Sequence, residues 1–357
     1  MSFLRCHPSV FVIGDEYEIL VSLKENGISY IEISDNVYYE ENNGVLSSEK
    51  NYAKIRVAKE ALNKAYLYKI VYRRSVNRKA YFSEMGDKEE VVYKFKPLLK
   101  EENINIYHIA DVHCHFDMAK KTASYFGNDL DLLIFNGDMG EVETVDDYFN
   151  VIQFIGDISL GEIPIIFARG NHDTRGRLAE LYSRFFPTNN NRTFYTFSIG
   201  CLSGVVLDCG EDKLDSHKVY SGLNDFVSYR KKETKFLKDL NLNSSSISFA
   251  ISHICPMQTT FIPFNEFDIS RDIYEVWNEE FIRIGIKFML SAHMHKAYLL
   301  KKNSADAIIP NHFPVIFGSE WDEGDFYGCA LTINKGEMLV KFTNSKKEVK
   351  GEYIVEI

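Results

Sequence analysis

The first hundred residues alternate apolar and polar positions in short runs separated by turn-rich stretches such as residues 40–48. Alternation of this kind is typical of strands that bury one face. Short strands at regular spacing predict a small all-β sandwich domain over residues 1–100. The predicted strands are Glu18–Leu23, Ile28–Ile33, Ala53–Val57, Tyr66–Val71 and Val91–Phe95.

The pattern changes after the polar segment Pro97–Asn103, which is a candidate linker. Continuous apolar runs, typical of strands buried on both faces, now alternate with apolar residues at helical spacing. This alternation predicts a layered α/β domain over residues 103–357. The predicted helices are Val145–Leu160, Arg177–Phe186, Tyr229–Leu240 and Ile269–Ile284, and the last predicted strands are Val315–Phe317, Gly328–Asn334 and Glu337–Thr343.

Clusters of Asp, His and Asn follow five of the apolar runs. Because loops converge at the carboxyl ends of strands, we expect these side chains to meet there. Their oxygen and imidazole donors suit Mn, Fe, Zn or Co. One cluster alone occurs by chance, although Asp111 and His113 would share a face if they lay on a strand. The five clusters are Asp111-Val112-His113, Gly137-Asp138, Gly170-Asn171-His172-Asp173, Ser252-His253 and Ala292-His293-Met294-His295.

Taken together, these clusters resemble the motifs of the calcineurin-like metallophosphoesterases over about residues 103–345. The resemblance implies a sandwich of mixed sheets flanked by helices, and two transition-metal ions, Mn or Fe with Zn as an alternative. It implies that Asp138 bridges the two ions. The remaining ligands would be Asp111, His113 and His295 for one ion, and Asn171, His253 and His293 for the other.

The resemblance also implies a mechanism for hydrolysing phosphate monoesters or diesters. A metal-bound hydroxide would attack phosphorus in line. His172 would protonate the leaving oxygen as general acid, and Asp173 would orient His172 through a hydrogen bond. Three readings stay open besides this one: a scaffold member of the same fold with weak or no activity, a nuclease, and a nucleotide phosphodiesterase.

The domain order resembles that of the purple acid phosphatases, with a β-sandwich in front of the catalytic domain. Leu62, Tyr66, Tyr68 and Ile70 resemble the corner of fibronectin type III domains, where a Tyr hydroxyl bonds to a preceding turn. This chain departs from the purple acid phosphatases at two positions. It has Glu141 where they carry a Tyr ligand and His113 where they lack a His, so we expect no tyrosinate ligand to iron.

Further residues near the clusters are candidate substrate contacts. His115 follows the first cluster, Arg175 follows the third, and His217 lies in the polar loop 210–224. Each could also have no contact with a substrate. His115 could be a solvent-exposed loop histidine, Arg175 could form a surface ion pair, and His217 could be an ordinary loop residue. Trp321 is either a stacking platform for a ring or a core residue.

The amino-acid composition indicates which binding partners and which cellular compartment to expect for the protein. A formal net charge of −10 argues against duplex nucleic acid and leaves a small phosphate ester as the expected partner. Six scattered cysteines without a CxxC pair indicate reduced thiols and a cytoplasmic protein. We expect no signal peptide and no membrane span. The oligomeric state is not indicated.

Overall fold

The computed structural model describes residues 3–242, 247–257, 269–322 and 324–357. The strands of these ranges are β1 (Ser9–Ile13), β2 (Glu16–Ser22), β3 (Gly27–Ile33), β4 (Asn36–Tyr38), β5 (Tyr52–Ala58), β6 (Leu67–Arg78), β7 (Ser83–Lys94), β8 (Ile104–Ile109), β9 (Leu132–Asn136), β10 (Pro164–Ala168), β11 (Tyr195–Ile199), β12 (Leu202–Leu207), β13 (Ile247–Ser252), β14 (Phe288–Ser291), β15 (Tyr298–Leu300), β16 (Val315–Phe317), β17 (Glu320–Asp322), β18 (Asp325–Asn334), β19 (Glu337–Thr343) and β20 (Val349–Glu356). The α-helices are α1 (Lys59–Ala65), α2 (Phe116–Ala123), α3 (Val145–Ser159), α4 (Tyr182–Phe185), α5 (Phe226–Asp239) and α6 (Arg271–Arg283).

Two mixed sheets pack face to face and form the centre of the molecule. The larger has the order β20-β19-β18-β8-β9-β10-β1-β2-β5, with β17 beside β18, and the smaller has the order β11-β12-β13-β14-β16-β15. Ile134 and Phe167 of the larger sheet share one buried core with Phe249 and Leu290 of the smaller. The predicted sandwich of mixed sheets flanked by helices is therefore confirmed.

The helices cover the outer faces of this sandwich. Helices α2 and α3 contact the larger sheet through β18 and β1. Helices α5 and α6 pack together over the smaller sheet, where Leu237, Trp277 and Phe281 meet Met289 in a second core. In the part of the chain that is described, no helix has the length and apolar character needed to cross a membrane.

Parallel pairing places the ends of the key strands on one side of each sheet. Strands β8, β9 and β10 are mutually parallel in the larger sheet, and β12, β13, β14 and β16 are parallel in the smaller. Their residues are almost entirely buried, as expected for strands covered on both faces. The loops that follow β8, β9, β10, β13 and β14 therefore leave the sheets on the edges where ligands are expected.

The N-terminal hundred residues contribute to two sheets. Strands β1, β2 and β5 extend the larger sheet beyond β10, whereas β3, β4, β6 and β7 form a separate four-stranded sheet. An N-terminal β-rich unit is thus present, but β10 of the second part of the chain pairs directly with β1. The division of the chain into two domains, 1–100 and 103–357, stays a prediction.

Two local expectations are corrected by the structure. The hydroxyl of the buried Tyr68 donates to the carbonyl of Gly161 at 2.8 Å, in the connection after α3, and not to a preceding turn. A buried hydroxyl needs an acceptor, and here β6 lies against that connection. The helix predicted over Arg177–Phe186 is only a 3₁₀ turn at Ala179–Leu181 followed by the short α4.

Candidate metal centre

The predicted ligands lie on loops that enter one space from two sheets. Asp111, Asp138 and Asn171 follow β8, β9 and β10, while His253, His293 and His295 follow β13 and β14 of the facing sheet. Asn136 joins the two sides, because its carbonyl oxygen lies 2.6 Å from His253 Nδ1 and its Nδ2 donates to the Leu290 carbonyl at 3.3 Å. The packing of the sandwich therefore brings distant segments of the chain together.

One group of ligand atoms surrounds Asp111. Its Oδ1 lies 3.5 Å from His295 Nε2, and His295 Nε2 lies 3.3 Å from His113 Nε2. These three side chains form a set whose donor atoms all lie within 4.8 Å of one another. They are the three residues expected to hold the first metal ion.

A second group surrounds Asn171. Its Oδ1 lies 3.0 Å from His293 Nδ1 and 3.2 Å from His253 Nε2. Asp138 lies between the groups, with Oδ2 at 3.2 Å from His253 Nε2 and 4.0 Å from His113 Nε2. All seven predicted ligands thus converge, and Asp138 occupies the position expected of a bridging carboxylate.

Two oxygen atoms of this cluster are placed as metal ligands would be. Asp111 Oδ1 is buried and has no hydrogen-bond partner among the described residues. Asn171 Oδ1 faces His293 Nδ1, His253 Nε2 and Asp138 Oδ2, of which the carboxylate oxygen only accepts. With the amide turned, Nδ2 would donate to those atoms instead. Unpaired buried acceptors are costly, and a cation at their centre would satisfy them. The residues therefore fit a pair of metal ions.

The electrostatics of the cluster favour positive charge. Burial opposes ionisation of His253, yet the neighbouring carboxylate of Asp138 raises the pKa of this imidazole to about 10. Burial likewise opposes ionisation of Asp138, but the charge of His253 holds the pKa of that carboxyl below its ordinary value. In the absence of metal, the imidazolium of His253 therefore supplies the cation that the carboxylates require.

The other ligands have pKa values set mainly by burial. Burial lowers the pKa of His113 to about 4 and that of His293 to about 3, so both rings are neutral and have a free nitrogen lone pair at pH 7. Burial, together with the charge of Asp138, raises the pKa of Asp111 to about 7. A metal ion would favour the ionised form of Asp111 and release its proton.

Backbone geometry around the ligands is unusual. Asp111, His113, Asp138, His293 and His295 all have φ between 44° and 69°, in the left-handed region that non-glycine residues rarely adopt. Strand β8 ends at Ile109, so the expectation that Asp111 and His113 share a strand face is wrong. A tight turn positions these two side chains, and strain of this kind concentrates at functional sites.

Two glycines allow the loops after β9 and β10 to touch. A Cβ on Gly170 would lie 2.1 Å from Asp138 Oδ1, and one on Gly137 would lie 2.5 Å from the Cα of Gly170. Gly137 also has a φ of +82°. No side chain fits between the loops, so glycine at both positions is a condition for the close approach of Asp138 and Asn171.

His172 and Asp173 border the cluster in different ways. The backbone N–H of His172 donates to Asp138 Oδ1 at 2.8 Å, and its ring packs on that of His113 with centroids 4.8 Å apart. Asp173 Oδ2 accepts from the backbone N–H of Gly170 at 2.8 Å and of Asp138 at 3.2 Å. Asp173 therefore fixes the two ligand loops to each other, and the expected hydrogen bond from Asp173 to His172 is replaced by these two.

Arg175 forms an ion pair, as the alternative to a substrate contact expected, although the sequence did not indicate its partners. Its guanidinium forms a two-pronged pair with the buried Glu211 at 2.7 Å on each side, while Nη1 lies 3.1 Å from His172 Nε2. Tyr220 donates to Glu211 at 3.0 Å, and Asp212 Oδ2 lies 3.8 Å from His293 Nε2. The loop after β12 thus supports the ligand cluster through Glu211 and Asp212.

The other candidate contacts lie outside the cluster. His115 is exposed and its ring lies 4.5 Å from that of Trp321. Trp321 is partly buried, and its Nε1 donates to the Asp111 carbonyl at 3.1 Å. His217 caps the 3₁₀ turn Lys218–Tyr220, with Nδ1 accepting from Val219 N–H at 3.3 Å. Of the three predicted substrate contacts, only Arg175 touches a residue that borders the ligand cluster.

Comparison with known proteins shows the family and the fold. A family model described as calcineurin-like phosphoesterase matches residues 104–297. The fold is similar to a purple acid phosphatase from yellow lupin (Lupinus luteus) seeds, with a TM-score of 0.64 at 10% identity over 98% of this chain and 74% of that one. It is also similar to PhoD, with a TM-score of 0.58 at 11% identity over 98% of this chain and 88% of that one. No curated protein sequence matches significantly.

Proposed function

Since this chain belongs to the calcineurin-like phosphoesterases, we propose that it hydrolyses phosphate monoesters or diesters at a centre of two metal ions. One observation carries the proposal: seven side chains from five loops converge, and Asp111 Oδ1 is buried among them without a hydrogen-bond partner in the described part of the chain. A bound cation would satisfy this buried oxygen.

The ligand sets follow from the two groups of donor atoms. Asp111, His113 and His295 would hold one ion, and Asn171, His253 and His293 the other, with Asp138 shared. Carboxylate, amide and imidazole donors without a thiolate fit Mn or Fe, with Zn as an alternative. When bound, such a pair of ions supplies Lewis acidity at the phosphoryl group and an activated water as nucleophile.

Side chains of the protein would protonate the leaving oxygen and hold the His172 ring and the ligand loops in position. A guanidinium only donates, so Arg175 Nη1 makes His172 Nε2 an acceptor and leaves the ring proton on Nδ1. We assign protonation of the leaving oxygen to the imidazolium form of His172, which returns to the neutral ring when it gives up this proton. Arg175 itself is fixed by Glu211, which keeps the His172 ring in one orientation. Asp173 contributes by fixing the loops that bear Asp138 and Asn171.

The proposal is tested by reconstitution with metal ions. Protein treated with a chelator should not hydrolyse p-nitrophenyl phosphate or bis(p-nitrophenyl) phosphate, and addition of Mn²⁺ or Fe²⁺ should restore turnover of at least one of them. Asp138→Asn should remain inactive under the same conditions, whereas Asp129→Asn, at an exposed position away from the cluster, should match the wild type. Absence of metal-dependent turnover with every ion would favour the scaffold reading.

A further inference from the structure

An open cleft of about 430 Å³ is lined by Trp321, whose Nε1 donates to the carbonyl of the ligand Asp111, and by Cys114, the residue after the ligand His113. We propose that this cleft binds a planar aromatic or heteroaromatic ring in the organic part of the phosphate ester, stacked on Trp321. The inference rests on the proposed function and names the class of substrate that the same centre would take. The volume lies within the range of small-molecule sites in proteins.

Trp321 is held in a fixed orientation at one wall of the cleft. Its Nε1 donates to the Asp111 carbonyl at 3.1 Å, and Phe326 supports its ring from behind at 4.9 Å between centroids. His115 lies against the same ring at 4.5 Å with an interplanar angle of 55°. An indole fixed in this way offers a flat surface without further loss of side-chain entropy, which favours a planar partner.

The remaining lining combines apolar and polar groups. Phe116 and Met118 are partly buried and supply apolar surface from α2. Asp117 and Lys121, one helical turn apart, are exposed at the rim and can accept from or donate to the edge of a ring. A flat apolar face with hydrogen-bonding groups at its border suits an aryl or nitrogen-heterocyclic group better than a flexible alkyl chain.

The ligands differ in how far their side chains are exposed to solvent. The side chains of His113 and His295 are 17% and 46% exposed, whereas those of Asp111, Asp138 and His253 are 1–2% exposed. His293, at 15%, is exposed to about the same extent as His113, so the most open approach for a phosphoryl group is past His295. His115, two residues after His113, lines the cleft, so an ester bound at the cluster would direct its organic group toward Trp321.

Three phosphonates of different shape provide the test: methylphosphonate, cyclohexylphosphonate and phenylphosphonate. Competitive inhibition of the Mn²⁺-loaded protein should be about fivefold to tenfold stronger with phenylphosphonate than with the other two. Phenylphosphonate should also change the fluorescence of Trp321. The chain has two tryptophans, and Trp277 is fully buried with Nε1 bonded to Thr234, so the change reports on Trp321.

Two variants at position 321 separate stacking from the hydrogen bond to Asp111. Both Trp321→Phe and Trp321→Leu lose that bond, but only Leu loses the aromatic face. Trp321→Phe should keep most of the preference for phenylphosphonate, and Trp321→Leu should abolish it. An unchanged preference in Trp321→Leu, or equal inhibition by phenyl and cyclohexyl compounds, would overturn the inference. If Trp321→Leu does not fold, the inference is tested by the wild type alone: a change in tryptophan fluorescence on addition of phenylphosphonate supports it, and no change overturns it.

The outcome also separates this inference from the proposed function. Metal-dependent turnover combined with no preference for a ring would refute only the role of the cleft. Absence of metal-dependent turnover of any ester would refute the function itself, and binding of phenylphosphonate would then be measured by fluorescence alone.

Discussion

At the scale of single residues, acceptor atoms from different loops that converge on one space indicate a metal centre. Asp111 Oδ1 has no hydrogen-bond partner among the described residues, and Asn171 Oδ1 faces two imidazole nitrogens and a carboxylate oxygen. A cation bound at this position would pair the buried oxygen of Asp111. Against the effect of burial, the carboxylates of Asp138 and Asp111 raise the pKa of the neighbouring His253 to about 10.

His172 provides a prediction at this scale, because it touches the cluster through its backbone rather than as a ligand. His172→Ala keeps the N–H that donates to Asp138, so both metal ions should remain bound. Loss of a general acid should slow esters with poor leaving groups by about a hundredfold or more and nitrophenyl esters much less. Steady-state rates on a series of aryl phosphates, with metal analysis of the same samples, would measure this. An equal loss across the series would refute the acid role.

At the scale of elements, loops at strand ends form the centre, and their contact depends on glycine. Gly170 and Gly137 let the loops after β9 and β10 meet, and Asp173 binds the backbone of both. The strands themselves are ordinary buried β-strands. The elements thus provide a rigid base, while the left-handed backbone at five ligands aims the side chains.

Gly170→Ala tests this arrangement. The added Cβ would meet Asp138 Oδ1 at 2.1 Å and must push the bridging carboxylate away. Metal affinity should fall by about tenfold or more, as it does when groups that orient ligands are disturbed, while circular dichroism stays unchanged. Gly86→Ala, in β7, meets only Arg74 and serves as the control. Normal Mn²⁺ affinity in Gly170→Ala, measured by calorimetry, would contradict the account.

Sequence patterns predicted the elements whose signal is local. Alternation located β2, β3 and β5, and helical spacing located α3, α5 and α6 within a few residues. Strand β1 was missed although Ser9–Ile13 is a short buried apolar run of the kind that marked β9 and β10. The short α2 escaped because its signal is confined to two turns.

The ligand residues were predictable because clusters of Asp, His and Asn follow apolar runs. Glu211 and Asp212 were missed, since an acidic pair in a polar loop is typical of solvated surface. They also follow a buried strand, β12, so the strand-end rule could have drawn attention to them. The contacts of Asp173 with two backbone N–H groups could not be foreseen, because they depend on how loops from different strands pack.

At the scale of the whole molecule, the larger sheet joins both parts of the chain. Strand β1 lies between the catalytic strand β10 and the N-terminal strand β2. Buried residues of the four-stranded sheet, such as Ile31 and Ile70, belong to the same core cluster as Ile134 and Phe167. We therefore expect the chain to unfold as one cooperative unit rather than as two domains separated at residues 100–103.

Ile31→Val tests this cooperativity from a distance. Loss of one buried methylene in β3 should lower the free energy of unfolding by about 1 kcal/mol. Both tryptophans, Trp277 and Trp321, lie far along the chain from Ile31, yet their fluorescence should report a lower urea midpoint if the sheets unfold together. Val37→Ala, at an exposed position of the same sheet, should leave the urea midpoint unchanged. A fluorescence midpoint unaffected by Ile31→Val would indicate independent domains.

The most direct measurement is the number of metal ions per chain. Purified protein that is reconstituted with Mn²⁺ and freed of excess metal should contain two Mn²⁺ ions per chain, as measured by elemental mass spectrometry. Asp138→Asn should lose at least one of them, because the bridging carboxylate contributes to both positions. Wild-type protein that binds no Mn²⁺, Fe²⁺ or Zn²⁺ at its seven-residue cluster, or Asp138→Asn that retains two ions with normal turnover, would contradict the account.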